Sequence, residues 1–249
     1  MKLAVLVLAL VAACQASGDY PIGPGGGGGG DGGTGDGGTE LRGRVCLLKD
    51  LRHLTACSET GASGLLVALA VGSPQKVKAT AVTTDDQGHF SIVPPLCTDC
   101  TWRVTSATDQ RIVRSLMPFG TDPTIPVIGF DDYNTLLIAN GQVLADQGSV
   151  VVRVVSGAAP VPLVTVASTT LAVEGALPDA VFYDSDTSQD LWNHNQTQSG
   201  GVVWLPLVPP SLSTSTTGTI TLTRSGGGSV TTTATLLSTW ITFLTAEIP

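Results

Sequence analysis

Charge is scarce in this chain: Asp, Glu, Lys and Arg make up 13% of its 249 residues. The 12 basic residues are outnumbered by 20 acidic ones and form no cluster or basic–aromatic stripe. Binding to nucleic acid, which depends on neutralising phosphates, is therefore not expected. The net charge of −8 also argues against adhesion to anionic lipid through protein charge alone. Long amphipathic periodicity is nearly absent, so helices cannot dominate the fold. No serine stands in a nucleophile elbow, and no peptidase metal motif occurs. The three histidines, His53, His89 and His194, lie in polar loops or at a hairpin. No acid, base or nucleophile converges, so the expectation is a protein that is not an enzyme and needs no cofactor.

The N-terminus carries what the rest lacks, an apolar run. Lys2 precedes Leu3–Leu10, and Val11, Ala12 and Ala13 lead into Cys14. The run is too short to span ~30 Å of hydrocarbon as a helix and has the layout of an export signal. "VAAC" resembles the lipobox of bacterial lipoproteins, in which the cysteine thiol is acylated and becomes the first mature residue. The resemblance implies lipidation at Cys14 and attachment to a membrane through an N-terminal lipid. Gln15 is not the aspartate associated with inner-membrane retention, so the expected location is the bacterial cell envelope, at the outer membrane of a diderm host. "PIGPGGGGGGDGGTGDGGTE" follows, and glycine offers no apolar area to bury. A Gly-rich coil of ~26 residues reaches about 25–30 Å, enough to hold a folded unit clear of the headgroups. No Lys-Ser/Thr follows the glycines, which excludes a phosphate loop.

Beyond the tether, Val, Thr, Leu and Ala dominate, residues that suit pleated, half-buried surfaces. An internal repeat organises them. "ELRGRVCLL" and "TDDQGHFSIVPP" (84–95) form one copy, and "DQGSVVVRVV" and "TQSGGVVWLPLVPP" (197–210) the other. Each copy has an alternating strand, a middle segment, then Thr, a turn, Gly, a second strand and Pro-Pro. These residues resemble the carboxypeptidase regulatory-like domain, a transthyretin-like module. The resemblance implies an all-β fold of two small prealbumin-like (Ig-like) β-sandwiches in tandem, non-catalytic and used for structure or interaction. The expected organisation is a signal peptide at 1–13, a lipidated Gly-rich linker at 14–39 and a first sandwich at 40–118. A linker with a short helix at 119–144 and a divergent second sandwich at 145–249 complete it. Within the linker, "DDYNTLLIANG" predicts a helix with Asp131 or Asp132 as N-cap and Tyr133, Leu136 and Leu137 on one face. "RSGGGS" predicts a hairpin turn.

Four cysteines remain besides Cys14: Cys46, Cys57, Cys97 and Cys100. An even number in an exported chain predicts disulfides, most simply Cys46–Cys57 with Cys97–Cys100, although three pairings exist. A four-thiolate zinc site and a redox "CTDC" are the rivals. "YDSDTSQDLWNHNQT" (183–197) places Asp184, Asp186 and Asp190 in a loose likeness of a calcium loop, without its glycine or glutamate. Two functions remain. One is a non-enzymatic, membrane-anchored envelope lipoprotein that contacts other envelope proteins. The other is a module for carbohydrate or another small ligand that uses Tyr183, Trp192 and Trp204 as exposed platforms.

Overall fold

The computed structural model describes residues 40–58, 62–71, 76–78, 80–95, 99–107, 111–120, 123–142, 147–172, 179–185, 192–208 and 216–249. Cys14, the tether, Cys97, Asp186 and Asp190 fall outside them. The Val/Thr alternation produces strands throughout. The first half supplies β1 (Leu41–Leu48), β2 (Leu65–Val71), β3 (Lys76–Val77), β4 (Val82–Thr83), β5 (His89–Ile92), β6 (Thr101–Ser106), β7 (Arg114–Pro118) and β8 (Thr124–Ile128). The helix α1 (Phe130–Ala139) follows. The second half supplies β9 (Gly148–Ser156), β10 (Ala159–Pro160), β11 (Val164–Thr169), β12 (Phe182–Tyr183), β13 (Val202–Val208), β14 (Thr216–Arg224), β15 (Ser229–Leu236) and β16 (Trp240–Glu247). The fold is all-β, as the composition predicts.

One long sheet runs β12-β13-β9-β16-β7-β6-β2-β3, with β10 beside β9 and β4 beside β2. Two smaller sheets cover parts of it, β5-β1-β8 and β11-β14-β15. In the first half, Val45, Phe90 and Ile125 pack against Val67 and Leu69 of β2 and Trp102 and Val104 of β6. In the second half, Val150, Val152, Leu205 and Leu244 pack against Ile220, Leu222 and Leu236. Each half therefore has its own sandwich core.

The boundary predicted between the halves does not interrupt the long sheet. Strand β16 lies between β7 and β9 and pairs with both in parallel. Residues 38–249 accordingly form one compact unit. The predicted linker is also partly sheet: β8 pairs in parallel with β1, and Pro126 stands opposite Cys46. A proline fits there because β8 is an edge strand of its sheet and owes no N–H to a further neighbour.

The helix forms where "DDYNTLLIANG" predicts it, with Tyr133 and Leu137 buried and Leu136 packed alongside. Its N-cap is Gly129, however, and Asp131 and Asp132 fall in the first turn, where carboxylates favour the positive end of the helix dipole. The start is set by sheet contacts instead: Phe130 N–H donates to the Arg111 carbonyl, and Gly129 bridges to Ile112. Gly141, at φ +70, follows the C-cap Asn140, where a left-handed residue ends the helix. The "RSGGGS" turn joins β14 to β15 as predicted.

Candidate functional site

Alternation makes β9 and β13 bury both faces. Val150, Val152 and Val154 enter the second sandwich core, while Val151 points the other way; on β13, Val203 and Leu205 face that core while Val202 and Trp204 face away. The rear face meets α1 and the loop between Cys46 and Cys57, and together they enclose a third core at the seam between the halves. Trp204 is its centre. Its ring lies 5.0 Å from that of Trp192, 5.3 Å from Phe182 and 6.2 Å from Tyr133, centroid to centroid. The Trp204 Nε1–H donates to Ser149 Oγ at 3.0 Å, and that hydroxyl donates to the Leu205 carbonyl. Burial pushes the Tyr133 phenol up to about 12, against the opposing effect of hydrogen bonds with Ser149 and Trp204.

The loop on the other side is closed by a disulfide between Cys46 and Cys57, with Leu48 bridging to Cys57. Cys100 is also disulfide-bonded. Within the first loop, Arg52 is 8% exposed and its guanidinium grips the Asp50 carboxylate at 2.6 Å. Burial acts to raise Asp50, but the Arg52 hydrogen bonds and charge outweigh it and hold the carboxyl below its usual range. The Arg52 carbonyl packs so closely on Gly200 that a Cβ there would stand 2.8 Å from it. At this point the seam is packed backbone against backbone.

The two copies of the repeat share one hydrogen-bond device. Thr84 and Thr197 are both buried. Thr84 Oγ1 donates to the Ala62 carbonyl and accepts from Leu65 N–H; Thr197 Oγ1 donates to the Val161 carbonyl and accepts from Val164 N–H. Downstream, Val45 N–H donates to Gly88 O at 2.8 Å and Val154 N–H to Gly201 O at 2.7 Å. Both glycines have positive φ, and a Cβ at either would strike the carbonyl of that same valine. Gly64 (φ +71) and Leu163 (φ +63) occupy the corresponding left-handed position before β2 and β11.

One residue of the device differs between copies. In the first, Asp85 Oδ1 accepts the N–H groups of Gln87 and His89, and the His89 N–H above all holds its carboxyl below the usual range. The second copy has Gln198 at that position. Its turn is satisfied by Asp184, which accepts Gln198 N–H at 3.1 Å, Gly200 N–H at 2.7 Å and Val202 N–H at 2.9 Å. Gly200 and Val202 match Gln87 and His89. A carboxylate from a neighbouring strand end has taken over the missing aspartate's work.

Of the three acidic residues read as a loose calcium loop, Asp184 alone is among the described residues. Asp184 is buried at 2% exposure and accepts three backbone N–H groups, so its carboxylate serves the turn of the second copy. No group of three metal-binding side chains exists among the described residues. Tyr183, Trp192 and Trp204 are interior, at 1%, 6% and 0% exposure, and offer no open ring face to a sugar. Tyr183 instead accepts Val166 N–H at the β11 bulge; burial raises its phenol and that bond opposes the rise. The His194 ring packs tilted against Phe182, 4.4 Å between centroids, and its Nδ1 contacts the Val181 carbonyl. His53 and His89 are exposed.

No family model and no curated protein matches the chain. Solved structures do. The chain is similar to a minor pilin of Streptococcus agalactiae at 13% identity, covering 84% of this chain and 94% of that one, with a TM-score of 0.25. It is similar to the TIE protein of Bacillus anthracis at 10% identity over 84% of this chain and 34% of that one, TM-score 0.26. A streptococcal ancillary pilin gives 11% identity, 84% and 69% coverage, and a TM-score of 0.25. At such TM-scores these likenesses carry no argument about activity.

Proposed function

We propose that the protein is a non-enzymatic bacterial lipoprotein whose joined sandwiches serve a structural or protein-interaction role in the cell envelope. The observation that carries this reading is the use made of its polar and aromatic side chains. Asp184, Tyr183, Thr84, Thr197, Trp192 and Trp204 are all spent on internal hydrogen bonds or packing, which yields a stiff body. The disulfide between Cys46 and Cys57 fits an oxidising compartment outside the cytoplasm. "VAAC" and the glycine run supply the rest: a lipid on Cys14, then a flexible spacer. In a diderm host the anchor is assigned to the outer membrane. The reading of Tyr183, Trp192 and Trp204 as a sugar platform is set aside, because the rings are interior.

Mass spectrometry of the N-terminal peptide, with membrane fractionation of wild type and Cys14→Ser, tests this. The expected result is a diacylglyceryl thioether on Cys14 in a membrane-bound wild type and release of the variant into the soluble fraction. An unacylated Cys14, or equal membrane retention of both proteins, would overturn it.

A further inference from the structure

The seam changes character towards one end. On β1 the side chains facing the seam run Leu48, Cys46, Arg44, and on the paired β8 they run Ile128, Pro126, Thr124, with Arg44 opposite Thr124. On β9, Val151 is followed on the same face by Arg153; on the paired β16, Ile241 and Phe243 are followed by Thr245, opposite Arg153. These are equivalent positions of the repeat. Val45 and Val154 make the same bond to Gly88 and Gly201, so the preceding residues, Arg44 and Arg153, correspond. Each half therefore presents one arginine–threonine pair on a parallel strand pair, and both pairs line a single cleft of about 450 Å³. Met117, Pro126, Phe243 and Leu244 give it an apolar lining, and no Asp or Glu is among its described lining residues.

The two guanidinium groups have few internal partners. Arg44 Nε donates to the Gln87 carbonyl at 3.2 Å and an Arg153 terminal nitrogen donates to the Ala158 carbonyl at 3.4 Å. Neither forms an ion pair among the described residues. Both are half-buried, which weakens solvent screening and leaves two like charges facing one cleft in a protein of net charge −8. An anion entering from outside meets both charges on the wall of one cleft, and the planar guanidinium fork suits an oxyanion. The cleft volume falls in the range of small-molecule sites, and its apolar lining has no use in binding a bare ion.

We infer that this cleft binds a carboxylate carried on a short apolar stem, with Arg44–Thr124 and Arg153–Thr245 holding the carboxylate and the Met117–Phe243 side taking the stem. The inference is independent of the lipid anchor. It is tested by titrating the isotope-labelled full chain with hexanoate while following the Nε–H signals of Arg44 and Arg153 and the methyls of Thr124 and Thr245. Hexan-1-ol and inorganic phosphate serve as comparisons. Saturable shifts with hexanoate are expected, with both comparisons binding at least about tenfold more weakly. Arg44→Gln and Arg153→Gln should each weaken hexanoate binding about tenfold while leaving the urea midpoint unchanged. The site is overturned if hexanoate gives no saturable shift, or if neither substitution weakens it. Equal binding of hexan-1-ol removes the role of charge, and equal binding of phosphate removes the role of the stem; either result overturns the assignment.

Discussion

Asp184 shows how burial alters the weight of one carboxylate. Asp184→Ala would leave the N–H groups of Gln198, Gly200 and Val202 without their acceptor inside the protein. Unsatisfied buried donors cost about 1–3 kcal/mol each, and partial relaxation of the turn brings the expected loss to about 3–4 kcal/mol. Urea denaturation measures it. Asp85→Ala, at the equivalent but solvent-exposed turn, should shift the midpoint less, because water replaces the lost acceptor. Equal shifts would contradict the assignment of Asp184 as the buried counterpart. In sequence, Asp184 looks like a member of an acidic loop because its neighbours are polar and acidic. Its true partners lie 14–18 residues away, and only Gln198, standing where the first copy has aspartate, signals that a carboxylate must come from elsewhere.

The loop and helix at the seam are legible to different degrees. The apolar face of α1 follows from the spacing of Tyr133 and Leu137, whereas its start is fixed by contacts with the approach to β7 at Arg111 and Ile112, which local sequence does not encode. Tyr133 gives the helix a pH signature. Its folded-state phenol lies near 12 against about 10 unfolded, so its stabilisation is whole below pH 10 and is lost as pH rises towards 12. Equilibrium unfolding across that range should lose about 2–3 kcal/mol through this group, and Tyr133→Phe should remove that part of the slope. The facing loop is foreseeable from its cysteines. Replacing Cys46 and Cys57 together by alanine should cost roughly 3 kcal/mol, the loop-closure entropy expected for a separation of 11 residues, read as a lower urea midpoint.

The two sandwich cores are visible in the alternation and in the Thr–turn–Gly repeat, and the structure adds that both copies use the same bonds. What the sequence hides is their union. "VVVRVV" is legible as one alternating strand, yet a nearly unbroken valine run is also what a strand covered on both faces requires. The position of β16 leaves no local sign at all, since parallel pairing depends on strands distant in sequence. Joined this way, the halves should unfold together. Trp102 reports the first core and Trp204 the seam, so tryptophan fluorescence and far-UV circular dichroism should give one coincident urea transition. Two resolved transitions would show that the shared sheet does not couple them.

That late strand also sets a timetable. Residues 240–247 fill the gap between β7 and β9, and both neighbours precede them in the chain. As the chain is synthesised, N-terminus first, β7 and β9 wait with bare rows of amides and carbonyls that any other nascent chain can occupy. Biogenesis, more than the finished molecule, is therefore where this protein is vulnerable, and a chaperone that shields those two edges until residue 247 emerges would govern its yield.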